Sequence, residues 1–138
     1  MTEPASLSAS LLADGDETNI RLARTVTAVD WNALASLACS LHGIISSRWG
    51  DQRSGGYNVV RFLHLDDASP TVVVARVPYR PAEGWTEGLT KAFAPQISSE
   101  IAIMRYVTAH TSIPVPRVIH YFIEADGGGV GSPYIMHV

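Results

Sequence analysis

Residues 72–80 read VVVARVPYR, a run of apolar residues with Arg76 in its middle. A short apolar run of this kind, bounded by turn residues, predicts a strand that is buried within a sheet. A guanidinium in such a strand is costly unless a partner neutralises it. The chain therefore needs a fold that covers this strand and also brings an acceptor to Arg76.

The overall composition fits a single soluble, globular domain. The chain has 138 residues, of which 46% are hydrophobic and 17% charged, and this is enough to bury one core. A net charge of −3 without a basic stripe argues against nucleic acid as a partner. No apolar stretch is long enough to span a membrane, and Cys39 is the only cysteine, so we expect a reduced, cytoplasmic protein with no membrane partner.

The N-terminal part of the sequence differs in pattern from the rest. Residues 1–28 are rich in Ser, Ala, Thr and acidic residues with little periodicity, and they predict a mobile arm. A helix follows, because Asp30 is a natural N-cap, apolar residues recur at helical spacing and Gly43 fits just beyond the helix end. We therefore expect the folded domain to span residues 29–138.

After this helix the pattern changes to that of strands. Alternating apolar residues and turn signals predict five strands, over residues 44–49, 59–65, 72–78, 117–124 and 133–138. A second helix is predicted over 96–110, since Ile97 and Ile101 recur at helical spacing, whereas glycine and proline in 81–95 predict a loop. The elements predict an α+β fold: a five-stranded antiparallel sheet with one face covered by a packed helix, plus an N-terminal helix.

Several motif-like segments lack the spacing that their chemistry requires. HLDD, residues 64–67, has no metal-binding Asn five residues after Asp66 and lies in a predicted turn. DGDETN, residues 14–19, lacks the Gly and Glu of a calcium loop, and GGGVG, residues 127–131, precedes a strand rather than a helix. The five histidines show no ligand spacing, so no metal site is predicted.

Two features remain as candidates for a binding site. SGGYN, residues 54–58, places Gly55 and Gly56 between two strands, where backbone amides can approach a phosphate; a simple turn is the alternative. Arg76 can point toward Glu100, near the start of the second helix, if that helix packs on the third strand. The alternatives for this pair are an ordinary structural ion pair or two unrelated exposed residues.

The order of these features resembles the small lobe of the protein-kinase-like fold: a glycine loop between two strands, a third strand with a central cation, a helix with an early Glu and two further strands. More narrowly, the chain resembles the N-terminal lobe of fungal-type aminoglycoside phosphotransferase-family proteins. The stretches that carry this likeness are DWNALASLA, GGYNVVRFLHL, VVARVPYRP, SEIAIMRYVTAHTSIPVPRVIHY and GSPYIMHV.

This resemblance implies an ATP site. The loop over the nucleotide phosphates would consist of Ser54, Gly55, Gly56, Tyr57 and Asn58. Arg76 would stand where kinases carry the lysine of V-A-I-K, written V-V-A-R here, and Glu100 would be its partner on the helix. Adenine would lie against the end of the last strand, so that residues 136–138, beginning with Met136, would border its pocket.

The resemblance also implies a limit to what the chain does. The family's catalytic Asp, its Mg²⁺ ligands and its acceptor pocket lie in a C-terminal lobe that is not in this sequence. We therefore expect a truncated chain or gene fragment: the ATP-binding lobe of a kinase for a small-molecule hydroxyl, inactive alone, with Mg²⁺ expected only when the second lobe is present. The alternative is a non-catalytic interaction or oligomerisation module that keeps this fold and presents an apolar surface.

Overall fold

The structure is a computed structural model that describes residues 9–138, with the side chains of residues 17–138. The elements in chain order are α1 (Ala9–Ala28), α2 (Trp31–His42), β1 (Ser47–Ser54), β2 (Asn58–Leu65), β3 (Val72–Pro78), α3 (Glu87–His110), β4 (Val118–Phe122), a short 3-10 turn (Gly127–Gly129) and β5 (Tyr134–His137). The fold is α+β, as predicted. Within residues 9–138, no helix is long and apolar enough to cross a membrane.

The five strands form one antiparallel sheet in the order β1-β2-β3-β5-β4. The five-stranded antiparallel sheet predicted from the sequence is therefore confirmed. The bounds of β2 and β3 agree closely with the prediction, whereas β1 begins at Ser47 instead of residue 44 and continues to Ser54. The polar end of β1 is exposed on the sheet edge and pairs with β2 beyond a bulge, so backbone pairing rather than hydrophobicity determines its extent.

The sheet has two faces that we name after the helices packed on them. The α2 face is made by residues of the larger core, including Leu63, Val73, Ala75, Val77 and Met136, which pack with Leu34 and Ala38 of α2. The α3 face includes Val60, Val74, Arg76, Ile135 and His137, and α3 packs on it through Ile97 and Ile101. The prediction that only one face is covered is wrong, because an amphipathic helix lies on each side.

The ends of α2 follow the predicted capping pattern. The carboxylate of Asp30 accepts a hydrogen bond from the backbone N–H of Ala33 at 3.0 Å. Gly43 adopts the left-handed conformation, with φ of 65°, and its N–H donates to the carbonyl of Ser40 at 3.3 Å. Both signals were readable in the sequence because they depend on local chemistry alone.

Residues 9–28, part of the segment predicted to be a mobile arm, form the helix α1. Its last turns are anchored by polar contacts: the hydroxyl of Thr25, which is fully buried, accepts from the N–H of Arg80 at 2.8 Å. The guanidinium of Arg24 donates to the carbonyl of Arg80 at 3.2 Å. Apolar periodicity cannot reveal an anchor of this kind. The first eight residues of the expected arm lie outside the described residues.

The loop expected over residues 81–95 is wrong for its second half, because α3 begins at Glu87. The hydroxyl of Thr86 caps the helix by accepting from the N–H of Leu89 at 3.1 Å. Pro95 lies inside the helix, where it removes one backbone hydrogen bond. Tertiary packing compensates: Phe93 contacts Trp85 before the proline, with ring centroids 5.3 Å apart, and Ile97 is buried after it.

Candidate functional site

The centre of the site is an ion pair between β3 and α3. Arg76 lies opposite Val60 of β2 and Ile135 of β5, and directly opposed residues of an antiparallel sheet share a face. Its Nη1 atom is 2.5 Å from Oε1 of Glu100, with side chains that are 21% and 39% exposed. The predicted approach of Arg76 to Glu100 is confirmed. Glu100 lies in the middle of α3 rather than near its start, because the helix begins earlier than predicted.

The ion pair does not use all the donors of Arg76. Its Nη2 atom is buried and has no hydrogen-bond partner among the residues that the structure describes. A buried donor without an acceptor costs about 1–3 kcal/mol. Because Glu100 holds the guanidinium on one side, the remaining donor is fixed in position, and an acceptor from outside the chain reaches it when the side chains that cover it move.

A second polar side chain, that of His137, lies on the same face. His137 is opposite Val74, two residues along β5 from the partner of Arg76, and it is only 5% exposed. Its Nδ1 atom has no partner within the described residues. Burial lowers the pKa of His137 below its ordinary value, and the charge of Arg76 lowers this pKa further, whereas Glu100 acts in the opposite direction.

Apolar side chains surround these polar groups on the open half of the face. Val60, Phe62 and Val74 are partly buried, and we call them the apolar shelf. The apolar contacts of α3 are instead with Ile135 and with residues of the β4 side of the sheet. The shelf therefore places partly exposed apolar side chains beside a fixed cation, and such an arrangement suits an apolar ring attached to an anion.

The glycine loop forms the turn at one end of this surface. β1 ends at Ser54 and β2 begins at Asn58, which pairs with Pro78, two residues from Arg76 on β3. Two residues of a strand span about 7 Å, so the turn and the cation lie at the same end of the sheet. The N–H of Gly55 donates to the carbonyl of Asn58 at 3.0 Å, which closes the turn.

The two glycines of this turn are not required by the fold. Neither Gly55 nor Gly56 has a positive φ, and an added Cβ at either position would meet no atom within 4 Å. Tyr57 is exposed, and the hydroxyl of Tyr79 donates to the carbonyl of Gly55 at 2.7 Å. Space for a closely approaching ligand is therefore present above the backbone of the turn.

The structure does not bring Met136 to this site. Its side chain is buried in the core on the α2 face, opposite Ala75. Alternation along β5 places Ile135 and His137 on the α3 face instead. At the end of the strand, the N–H and carbonyl of Val138 are both bonded to the backbone of Arg117, at 2.9 and 3.1 Å. The pattern PYIMHV identified the strand, and the side chains of this strand that lie on the face of Arg76 are those of Ile135 and His137.

The enclosed space near Arg76 is small. One cavity, lined by Arg76, Asn58 and Ile135 among others, is about the size of one water molecule. A larger cleft of about 540 Å³ lies elsewhere, between the start of α3 and the end of β4, beside Lys91 and Glu124. Among the described residues, no group of His, Cys, Asp and Glu side chains could hold a metal ion. A ligand of Arg76 would therefore lie on the open side of the apolar shelf.

The arrangement defines an α+β domain with a half-open polar site on one face of its sheet. Comparisons of the chain with protein-family models, with curated proteins and with solved structures found no match.

Proposed function

We propose that this chain is the nucleotide-binding small lobe of a kinase-like fold related to the aminoglycoside phosphotransferases, and that its ligand is ATP. The observation that carries the proposal is the unpartnered Nη2 atom of Arg76, held beside Glu100. A guanidinium can bind a carboxylate through one edge and a phosphate oxygen through another. In this arrangement Glu100 orients Arg76, and Arg76 binds the phosphates.

The surroundings of Arg76 supply the other parts of a nucleotide site. The apolar shelf offers a surface for the adenine ring, and the turn of residues 54–58 covers the phosphates with its backbone amides. The element order also supports the proposal: a hairpin with a glycine turn, a strand with a central cation, a helix with an acidic partner and two closing strands.

The proposal for this chain is binding rather than transfer. Transfer of the γ-phosphate to a small-molecule hydroxyl requires a base and Mg²⁺ ligands, which such kinases carry in a C-terminal lobe. The residues of the α3 face bind and orient the phosphates, and the base, the metal and the acceptor belong to that lobe. The chain alone is therefore expected to bind ATP without phosphorylating a substrate.

Isothermal titration of the 138-residue protein with ATP tests this function. We expect Arg76→Ala to weaken ATP binding by at least about tenfold, because a charge-assisted hydrogen bond contributes about 1.5–3 kcal/mol. Arg48→Ala is the matched control: it removes the same charge from an exposed position of β1, opposite His64, and should leave ATP affinity within about twofold. Equal ATP affinity of wild type and Arg76→Ala would remove Arg76 from the site.

An interaction module is the second candidate, and exposed apolar side chains of α3 favour it. Ile103 and Tyr106 are 63% and 62% exposed, one turn apart on the helix, and Tyr106 stacks on His110 with ring centroids 4.1 Å apart. If wild type binds no ATP, this candidate gains support. Sedimentation of the wild type and of Ile103→Glu then shows whether this surface makes the chain self-associate.

A further inference from the structure

The buried imidazole of His137 lies next to Arg76 on the α3 face. Arg76 is opposite Ile135, and His137 is two residues further along the same strand. Such diagonal neighbours on adjacent strands are about 7–8 Å apart at their Cα atoms, within reach of side chains as long as these. A ligand that contacts the guanidinium therefore lies close to the imidazole as well.

Few charged groups face His137 from the elements around it. Arg76 approaches from β3 and Glu100 from α3, and these are the two charges that affect the imidazole. Its partner on β4 is the apolar Val118, and the titratable Tyr121 on the same face has Arg105 over its ring at 5.5 Å. On β2 the nearest titratable group of this face is His64, opposite Val72.

In the free protein these surroundings keep the imidazole neutral. His137 is almost completely buried, and burial disfavours its charged form. The positive charge of Arg76 also disfavours a proton on the ring. The negative charge of Glu100 favours that proton, but its effect is the smallest of the three. A bound phosphate would cancel the charge of Arg76 and add negative charge near the ring, and both effects favour the imidazolium.

We propose that His137 makes anion binding at Arg76 proton-linked: it is neutral in the free protein and takes up a proton from solvent when a phosphate group binds. This inference rests on the proposed function, since the phosphate is the one that Arg76 would hold. Linkage is reciprocal, so a ligand that promotes protonation binds more tightly when protons are abundant. The site then releases its nucleotide more readily as pH rises through the imidazole range.

The test is isothermal titration with ADP between pH 8 and pH 5.5, using wild type, His137→Gln and His64→Gln. The phosphates of ADP titrate in this range too, but their effect cancels in the ratio of affinities of variant and wild type. We expect His137→Gln to bind ADP as wild type does at pH 8 and progressively more weakly as pH falls to 5.5, by at most about threefold for each half unit by which binding raises the pKa of His137. The control variant His64→Gln should follow wild type throughout.

Two further measurements make the result decisive. Titrations in buffers with different ionisation enthalpies should show proton uptake with ADP in wild type, and uptake should fall in His137→Gln. Adenosine, which has no phosphate, should show no difference in pH dependence between wild type and His137→Gln. If the substitution disrupts folding, an NMR titration of the His137 imidazole in the wild-type protein tests the proton linkage instead, because ADP should raise the pKa of His137.

The outcomes separate this inference from the proposed function. ADP binding that needs Arg76 but has the same pH dependence in wild type and His137→Gln would overturn the proton linkage alone. A pKa of His137 that does not change with ADP would also overturn it. If wild type binds no ADP at any pH, the proposed nucleotide site fails, and the linkage fails with it.

Discussion

The two faces of the sheet differ in how completely their side chains are buried. On the α2 face, Val73, Ala75 and Val77 of β3 are fully buried in one continuous apolar core. On the α3 face, the intervening residues of the same strand are only partly buried, and Arg76 keeps a buried donor without an acceptor among the described residues. One strand thus contributes to a closed core with one set of side chains and to a half-open site with the other.

This difference indicates which face stabilises the fold and which is available for a ligand. Apolar burial is the main favourable contribution to folding, and it is concentrated on the α2 face. Buried polar atoms without a partner are unfavourable, and among the described residues they occur on both faces: in Arg76 and His137 on the α3 face, and in Trp49 and Arg61 on the α2 face. The pair on the α3 face lies beside partly buried side chains rather than against the closed core, so we expect a ligand on this face.

Equal truncations of Val73 and Val74 test the comparison most strongly. Val73→Ala removes two methyl groups from the closed core, so it should lower the free energy of unfolding by about 2–3 kcal/mol. Val74→Ala, the same change one residue later on the α3 face, should cost about 1 kcal/mol or less but weaken ATP binding. Chemical unfolding and ATP titration measure both effects. Equal stability losses would show that the two faces are packed alike.

Arg61 is the exception on the α2 face, and its removal should have the next largest effect. Its guanidinium lies over two indoles, 4.7 Å from the ring centroid of Trp31 and 4.8 Å from that of Trp49, and burial lowers the pKa of Arg61. Arg61→Ala should destabilise the protein by about 1 kcal/mol through loss of these contacts. Thermal unfolding checks this, with Arg48→Ala as the exposed control. A change in ATP affinity in Arg61→Ala would contradict the assignment of binding to the α3 face.

Arg76→Met should have the opposite effects to Arg61→Ala, with little change in stability and a loss of ATP binding. Methionine fills a similar volume beside Ile135, and it removes both the partly exposed ion pair and the buried donor without a partner, two effects of opposite sign, so the free energy of unfolding should change by at most about 0.5 kcal/mol. Binding of ATP should nevertheless be lost in titration calorimetry. A large loss of stability in Arg76→Met would mean that Arg76 has a structural role instead.

The smallest effect is expected from pH and concerns His137. Because its pKa in the folded protein is lowered, the unfolded chain takes up a proton first as pH falls below 6.5, the ordinary value. The free energy of unfolding should therefore decrease as pH falls through this range. The contribution of His137 to this decrease should end below the pKa that His137 has in the folded protein. Denaturant unfolding of His137→Gln should show a shallower decrease than wild type. If the free energy of unfolding depends on pH in the same way in both proteins, the burial of His137 does not lower stability at acidic pH.

Much of the fold, and the centre of the candidate site, could be predicted from the sequence. Local patterns predict β3, its hairpin with β2 and the caps of α2. These patterns are apolar runs, turn residues, and an Asp and a Gly at the two ends of a helix. The ion pair of Arg76 and Glu100 followed from an apolar strand that contained one cation. These features depend on residues that are close in sequence or on one strong electrostatic requirement.

The remaining features depend on tertiary contacts. Pro95 indicated a loop, but packing on both sides of it keeps α3 helical. The end of α1 is held through Thr25 by the backbone of Arg80, which no apolar pattern predicts. Choosing His137 over Met136 requires the pairing of β5 with β3, because a shift of one residue exchanges the faces of a strand.

The contact between the start of α2 and the turn before β5 has a consequence for the time course of folding. The N–H of Asp30 donates to the carbonyl of Val130 at 2.8 Å, and a Cβ on Gly131 would lie 2.5 Å from the carbonyl oxygen of Ala28. These backbones lie about 100 residues apart in the chain, so joining them closes a long loop at a high entropic cost. Helix α2 can form early, but it reaches its final position only after the segment that contains Val130 and Gly131 has been synthesised and has folded against it.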